Sequence, residues 1–302
     1  MSQGRPAIPW VRNRYARDMR LHRIHRSLFT AALCALGLAC SPPERAPADI
    51  DDILLFSYRH YGSEDSSSAS SLADAALALE RWYDEREDPL APIEAQVARL
   101  GAEELAVLEP QPEFTDGPAA VGVLFARDVD CTSSEIAHLY LDDNQMGLFP
   151  TNYTSYSRSN KENMDCYLEE SCPEAQWEAS VVKEQQVFLT PVSYTFTMTS
   201  GMRSFSAQPP DAVPGDPSVQ GRVVRVWMNE EAVVDPDTLG RFRQSYQFEF
   251  LVPRNGGTLH FYAMWTHLDS DSLNTESSVF LNSYIDGIAD YMVELEAHCA
   301  TM

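Results

Sequence analysis

The side chains of this chain that could act as nucleophiles, acids, bases or metal ligands are its cysteines, its histidines and a few runs of carboxylates. Their spacing excludes most familiar chemistries. No two cysteines form a C-x-x-C pair, and His138, His260, His267 and His298 are not spaced as ligands, so no metal site is expected. G-x-S-x-G, H-E-x-x-H and Walker sequences are absent. The run Asp269-Ser270-Asp271-Ser272-Leu273-Asn274-Thr275-Glu276 has the carboxylate density of a calcium loop. Leu273 stands at a ligand position and the central glycine is missing, so it reads as a solvated loop. Asp235-Pro236-Asp237-Thr238-Leu239-Gly240 fails in the same way at Leu239. What remains is a pair of histidines, His260 and His267, able to exchange protons, and aromatic stripes able to surround an apolar molecule.

The region ahead of these residues addresses the chain for export. Arg20, Arg23 and Arg26 precede Ser27 to Ala39, an apolar run broken only by Ser27, Thr30 and Gly37, and Cys40-Ser41-Pro42-Pro43 follows. That order is a signal peptide over residues 1–39, with Met19 as an alternative start. The run is shorter than the roughly 18 apolar residues that span a bilayer. Gly37-Leu38-Ala39-Cys40 resembles the lipobox of bacterial lipoproteins, with Gly37 where that family usually has Leu. The resemblance implies that Cys40 is lipidated and anchors the protein to the membrane, at the outer membrane or periplasmic face of the cell envelope. Cleavage after Ala39 without lipid would leave it secreted. In an oxidising compartment Cys131, Cys166, Cys172 and Cys299 make two disulfides. Three connectivities are open, and the short loop favours Cys166 with Cys172.

The formal net charge is −23, and losing residues 1–39 removes seven arginines and one aspartate. Lys161 and Lys183 are the only lysines. Such a surface repels nucleic acid, which is not expected as a partner. It suits a soluble extracytoplasmic body.

In the mature chain, residues 40–49 read as a Pro- and Ala-rich tether. Residues 50–116 read as a helical region. Ile50 to Tyr61 looks helical, and a Ser-rich gap at 66–71 precedes Leu72 to Glu87, where Leu72, Ala75, Ala76, Leu79 and Trp82 recur at helical spacing. Ile93, Val97 and Leu100 suggest a further amphipathic helix, Leu105 to Leu108 a turn, and Asp116-Gly117-Pro118 a domain boundary. Val121 to Asp130 then reads as a buried strand, and Thr132-Ser133-Ser134-Glu135 as a capping box opening a short helix. Residues 143–177 read as irregular. Tyr194 to Thr199, Val223 to Met228, Arg241 to Val252 and Thr258 to Leu268 alternate as strands, the last two joined by a turn through Asn255-Gly256-Gly257. Ser278 to His298 is a long helix with Phe280, Tyr284, Ile288, Tyr291, Met292 and Leu295 in a stripe.

This order, with the Phe149-Pro150 step after the first short helix, resembles the START-like (SRPBCC, polyketide cyclase-like) superfamily over residues 117–302. The Cys-bearing stretch around 158–178 and the Pro-rich loop 208–217 depart from its pattern. The resemblance implies an α+β helix-grip fold, an antiparallel sheet wrapped around the long C-terminal helix. It also implies a cavity between sheet and helix that takes a hydrophobic small molecule or lipid, with no cofactor. Tyr246, Phe248, Phe261, Trp265, Tyr284 and Ile288 are the inward candidates, with Arg225 or His267 as polar anchors. The alternatives are an enzyme of cyclase-like or hydrolytic type using His260 or His267, and a non-catalytic scaffold in which these aromatic groups fill a solid core. Because the terminal helix of a helix grip runs back toward the end of the first strand, the resemblance also pairs Cys131 with Cys299.

Overall fold

The computed structural model describes residues 43–62, 66–86, 92–100, 120–187, 190–235, 240–270 and 277–302. Helices α1 (Ile50–Tyr61) and α2 (Ser66–Asp84) come first, followed by strands β1 (Ile93–Leu100) and β2 (Ala120–Val129). Next come α3 (Ser133–Leu141), the single turn α4 (Gln145–Leu148), β3 (Ser155–Glu162), α5 (Met164–Leu168) and β4 (Glu174–Val187). The chain ends with β5 (Thr190–Ala207), β6 (Val219–Met228), β7 (Ala232–Asp235), β8 (Arg241–Arg254), β9 (Gly257–Asp269) and α6 (Ser278–Cys299). The strands form one antiparallel sheet in the order β1-β2-β9-β8-β6-β5-β4-β3, with β7 pairing to β5 and β8.

Local chemistry sets many of the boundaries. Thr132 and Glu135 close the capping box of α3, Thr132 Oγ1 accepting from the Glu135 amide and Glu135 accepting from the Thr132 amide. Asp49 and Ser277 cap α1 and α6. The β8–β9 hairpin turns at Asn255 (φ 52°) and Gly256 (φ 86°), the positive-φ pair that matches strand twist.

Four expectations change. Residues 93–100 form a strand of the sheet, because a bulge between Val97 and Leu100 breaks the two-residue period and gives Ile93, Val97 and Leu100 the spacing of a helix face. The serines at 66–71 begin α2 instead of separating it from α1. Residues 43–49 pack on α2, with the Ala46 amide donating to Asp74 and Ser71 donating to the Glu44 carbonyl. Within the stretch expected to be irregular, β3 adds the edge strand beside β4. The turn at 105–108 and the boundary at 116–118 lie outside the described residues.

Both faces of the sheet are covered. On one face α1 and α2 pack Ile53, Leu54, Leu72 and Leu79 against Tyr246, Phe248, Phe250, Phe261 and Trp265. On the other, α3, α5 and α6 meet Val121, Val123, Phe125, Val224 and Tyr262. The second arrangement is the helix grip. Cys131 at the end of β2 is bonded to Cys299 at the end of α6, with Cα atoms 5.6 Å apart, as the resemblance implied. Cys166 and Cys172 pair across their short loop.

Candidate ligand-binding site

Strand alternation decides which side chains reach the space under α6. On β8 these are Ser245, Gln247 and Glu249; on β9, Tyr262, Met264 and Thr266; on β6, Val224, Val226 and Met228; and on β5, Tyr194, Phe196, Met198 and Ser200. Tyr140 from α3, Tyr153 and Tyr156 beside and on β3, and Tyr284 and Tyr291 from α6 complete the wall. The space between them, partly open to solvent, measures about 120 Å³. A cleft of about 360 Å³ along α6 shares Asn152, Lys183, Tyr194, Tyr262, Met264, Tyr284 and Tyr291 with it.

Seven of the described tyrosines stand in this wall. Burial pushes the phenols of Tyr140, Tyr153, Tyr194, Tyr262, Tyr284 and Tyr291 well above their ordinary range. For Tyr140, Tyr262 and Tyr291 the nearby Glu249 carboxylate adds to the effect. These groups therefore present apolar ring faces and neutral hydroxyl tips.

Glu249 is 1 % exposed, and three donors surround it. The Tyr140 hydroxyl donates to Oε2 at 2.5 Å, His260 Nε2 lies 2.6 Å from the same oxygen, and Gln247 Nε2 donates to Oε1 at 2.5 Å. A buried carboxylate is tolerated only with such partners. Arg158 is spent on the end of α3, donating to the carbonyls of Tyr140, Leu141 and Asp142 while its plane lies between Tyr156 and Trp177. Lys183 Nζ donates to Asn152 Oδ1 at 2.8 Å, and burial pushes its pKa down to about 8.

The structure divides the residues expected to line one cavity. Tyr284 stands in the cavity wall and Ile288 in the cleft. Tyr246, Phe248, Phe261 and Trp265 face the other way, into the core under α1 and α2. Alternation sorts a strand into two sets, but the sequence does not say which set the terminal helix covers. Here the bulkiest apolar set went to the solid core, which answers that part of the scaffold alternative for these four residues. Arg225 also lies on the α1 side, stacked near Tyr58, Tyr61 and Trp227 at 5.7, 4.3 and 4.7 Å. His267 is buried opposite Gln244 and does not line the cavity, while His260 reaches it only through Glu249.

Sequence reasoning missed Glu249, Gln247, Tyr262, Lys183 and Tyr153. The signal was present on β8, whose opposite set is Gln247 and Glu249. A polar set reads as solvent-facing unless a second layer is known to cover it.

No protein-family model matches the sequence, and no curated protein matches it significantly. Among solved structures, a STAR-related lipid transfer protein fragment from Xanthomonas axonopodis is 13 % identical, covering 71 % of this chain and 97 % of its own, at a TM-score of 0.39. A START superfamily protein from Mycobacterium smegmatis is 11 % identical over 60 % of this chain and 97 % of its own, at 0.36. An aromatase/cyclase from Streptomyces sp. R1128 is 8 % identical over 59 % and 93 %, also at 0.36. The chain thus has START-like proteins among its structural neighbours.

Proposed function

We propose that this protein is a lipid-anchored protein of the bacterial cell envelope that binds a hydrophobic or amphipathic small molecule between its sheet and α6, without transforming it. The binding half of this reading rests on the composition of the wall: seven tyrosines from the sheet and the helices around it, with Phe196, Phe242 and three methionines, around an open space. A solid core has no use for so many hydroxyl tips. Ligand sites of about 300–1,000 Å³ combine apolar walls with a few placed polar groups, and the cavity with its cleft is of that scale. The anchoring half rests on the apolar run ending at Cys40.

Native mass spectrometry of the full chain extracted from membranes is expected to show a bound species of a few hundred daltons. Met264→Trp, which fills the wall shared by cavity and cleft, should lose it. A bound species retained in Met264→Trp, or none in the wild type, would overturn the reading.

One observation favours an enzyme instead. Glu249 lines the cavity and is joined to His260 and Tyr140, so proton exchange with a bound molecule would occur at its carboxylate. On that reading the co-purified molecule is converted by the wild type and left intact by Glu249→Gln. Recovery of the unchanged molecule after prolonged incubation with wild type excludes it.

A further inference from the structure

Among the described residues three charged side chains line the cavity, and two of them are matched where they stand. Glu249 has Tyr140, His260 and Gln247; Arg158 has the carbonyls at the end of α3 and Asp143. Lys183 has only the neutral Asn152 amide oxygen and the face of Tyr153, 5.2 Å from the ring centre. Among the described residues no carboxylate lies within ion-pair distance of it. Lys183 is half-buried where the cleft opens; an ammonium carries three donors, and withdrawing it even partly from bulk water is costly unless an acceptor of opposite charge completes it. The chain carries 45 acidic residues against two lysines. A carboxylate partner was therefore abundant in composition and was not placed here.

We infer that Lys183, with Asn152 beside it, anchors the head group of an anionic amphiphile whose aromatic or short apolar body lies among the tyrosines. The inference rests on the binding function proposed above and names its ligand class, an organic acid. The site sits where cavity and cleft meet, so a head group there touches Lys183 while the body continues inward.

The groups facing Lys183 leave it as the member of the cleft whose charge changes in mild alkali. Tyr153 precedes β3, Tyr194 comes from β5, Tyr262 from β9, and Tyr284 and Tyr291 from α6; all five phenols are held above their ordinary range and stay neutral. Asp286 and Asp290 of α6 and Glu184 of β4 also line the cleft, are exposed, and form no ion pair with Lys183. Burial lowers the Lys183 pKa to about 8, and a bound anion would raise it again.

The test is a fluorescence titration of the full chain with 1-anilinonaphthalene-8-sulfonate and its uncharged relative N-phenyl-1-naphthylamine. Lys183→Met is expected to lower the ratio of the two affinities (anionic over neutral) about tenfold or more, the scale of a lost charge-assisted hydrogen bond. In the wild type the sulfonate should bind progressively more weakly as pH rises from 7 to 9.5, because its partner loses a proton, while the neutral probe follows no such trend. Lys183→Arg should keep the ratio and abolish the pH trend, since a guanidinium stays charged throughout. An unchanged ratio in Lys183→Met, or a flat pH profile for the sulfonate in the wild type, would overturn the anionic anchor and leave the cavity reading standing. Failure of both probes to bind would count against the binding function itself, and the inference would fall with it.

Discussion

Trp265 lies over Gly122 of the neighbouring strand and donates its indole N–H to the Ala98 carbonyl at 3.1 Å. A Cβ on residue 122 would come within 2.7 Å of that ring and of Val97, so glycine is what lets the indole settle there. Buried to 2 % exposure, the ring joins β1 to the core under α1 and α2. Trp265→Ala should therefore cost about 3–5 kcal/mol in a urea unfolding curve; a loss below about 1 kcal/mol would show that the site collapses without it. Lys183 gives the opposite sign. Its amine has an ordinary value near 10.4 in an unfolded chain and about 8 when folded. Below pH 8 both states are charged and the folded one bears the full cost of burial. Between about 8 and 10.4 the folded state releases its proton first, so this cost fades and stability rises with pH. Lys183→Met should accordingly stabilise the protein at pH 7 by about 1–3 kcal/mol, discounted for the side chain's residual solvent contact, and by nearly nothing at pH 10.5. A gain equal at both pH values would assign it to packing and not to the charge.

At the scale of elements, the two disulfides do different work. Cys131–Cys299 joins residues 168 apart and locks the far end of α6 to the end of β2, where Arg127 and Glu296 also pair at 2.9 Å. Cys166–Cys172 closes a span of 6 and fixes the turn between α5 and β4. In the chain-entropy model the first constrains the unfolded chain by about 5 kcal/mol and the second by about 2. Replacing Cys131 and Cys299 together with serine should thus lower the unfolding free energy at least twice as much as replacing Cys166 and Cys172, measured by urea denaturation. Equal losses would show that the terminal helix is held by its packing against Leu139, Tyr262 and their neighbours rather than by the bond. The strand β1 carries a related lesson. Three apolar residues at spacings of four and three are read as a helix face, yet the same spacing arises in a strand that bulges once.

For the whole molecule, the proposed address depends on one thiol. Cys40→Ser in the full chain should move the protein from the membrane to the soluble fraction and remove incorporation of a palmitate analogue, while equal labelling of both forms would exclude a lipid at Cys40. The folded body depends on layering. Caps, turns and long amphipathic stripes were legible in the sequence because neighbours a few residues apart create them: Thr132 with Glu135, Asn255 with Gly256, and the stripe from Phe280 to Leu295. With the order of those elements, they suffice for a sheet gripping a terminal helix. The face of each strand that turns toward that helix belongs to the tertiary structure alone. A strand offers two sets of side chains half a turn apart, and α1 and α2 cover the side that would otherwise meet water. That second layer drew Tyr246, Phe248, Phe261 and Trp265 into a solid core and left the tyrosines, Glu249 and Lys183 to enclose the cavity. It decided this because a residue's surroundings are set by what packs across from it, and α1 and α2 lie more than a hundred residues from β8 and β9 along the chain.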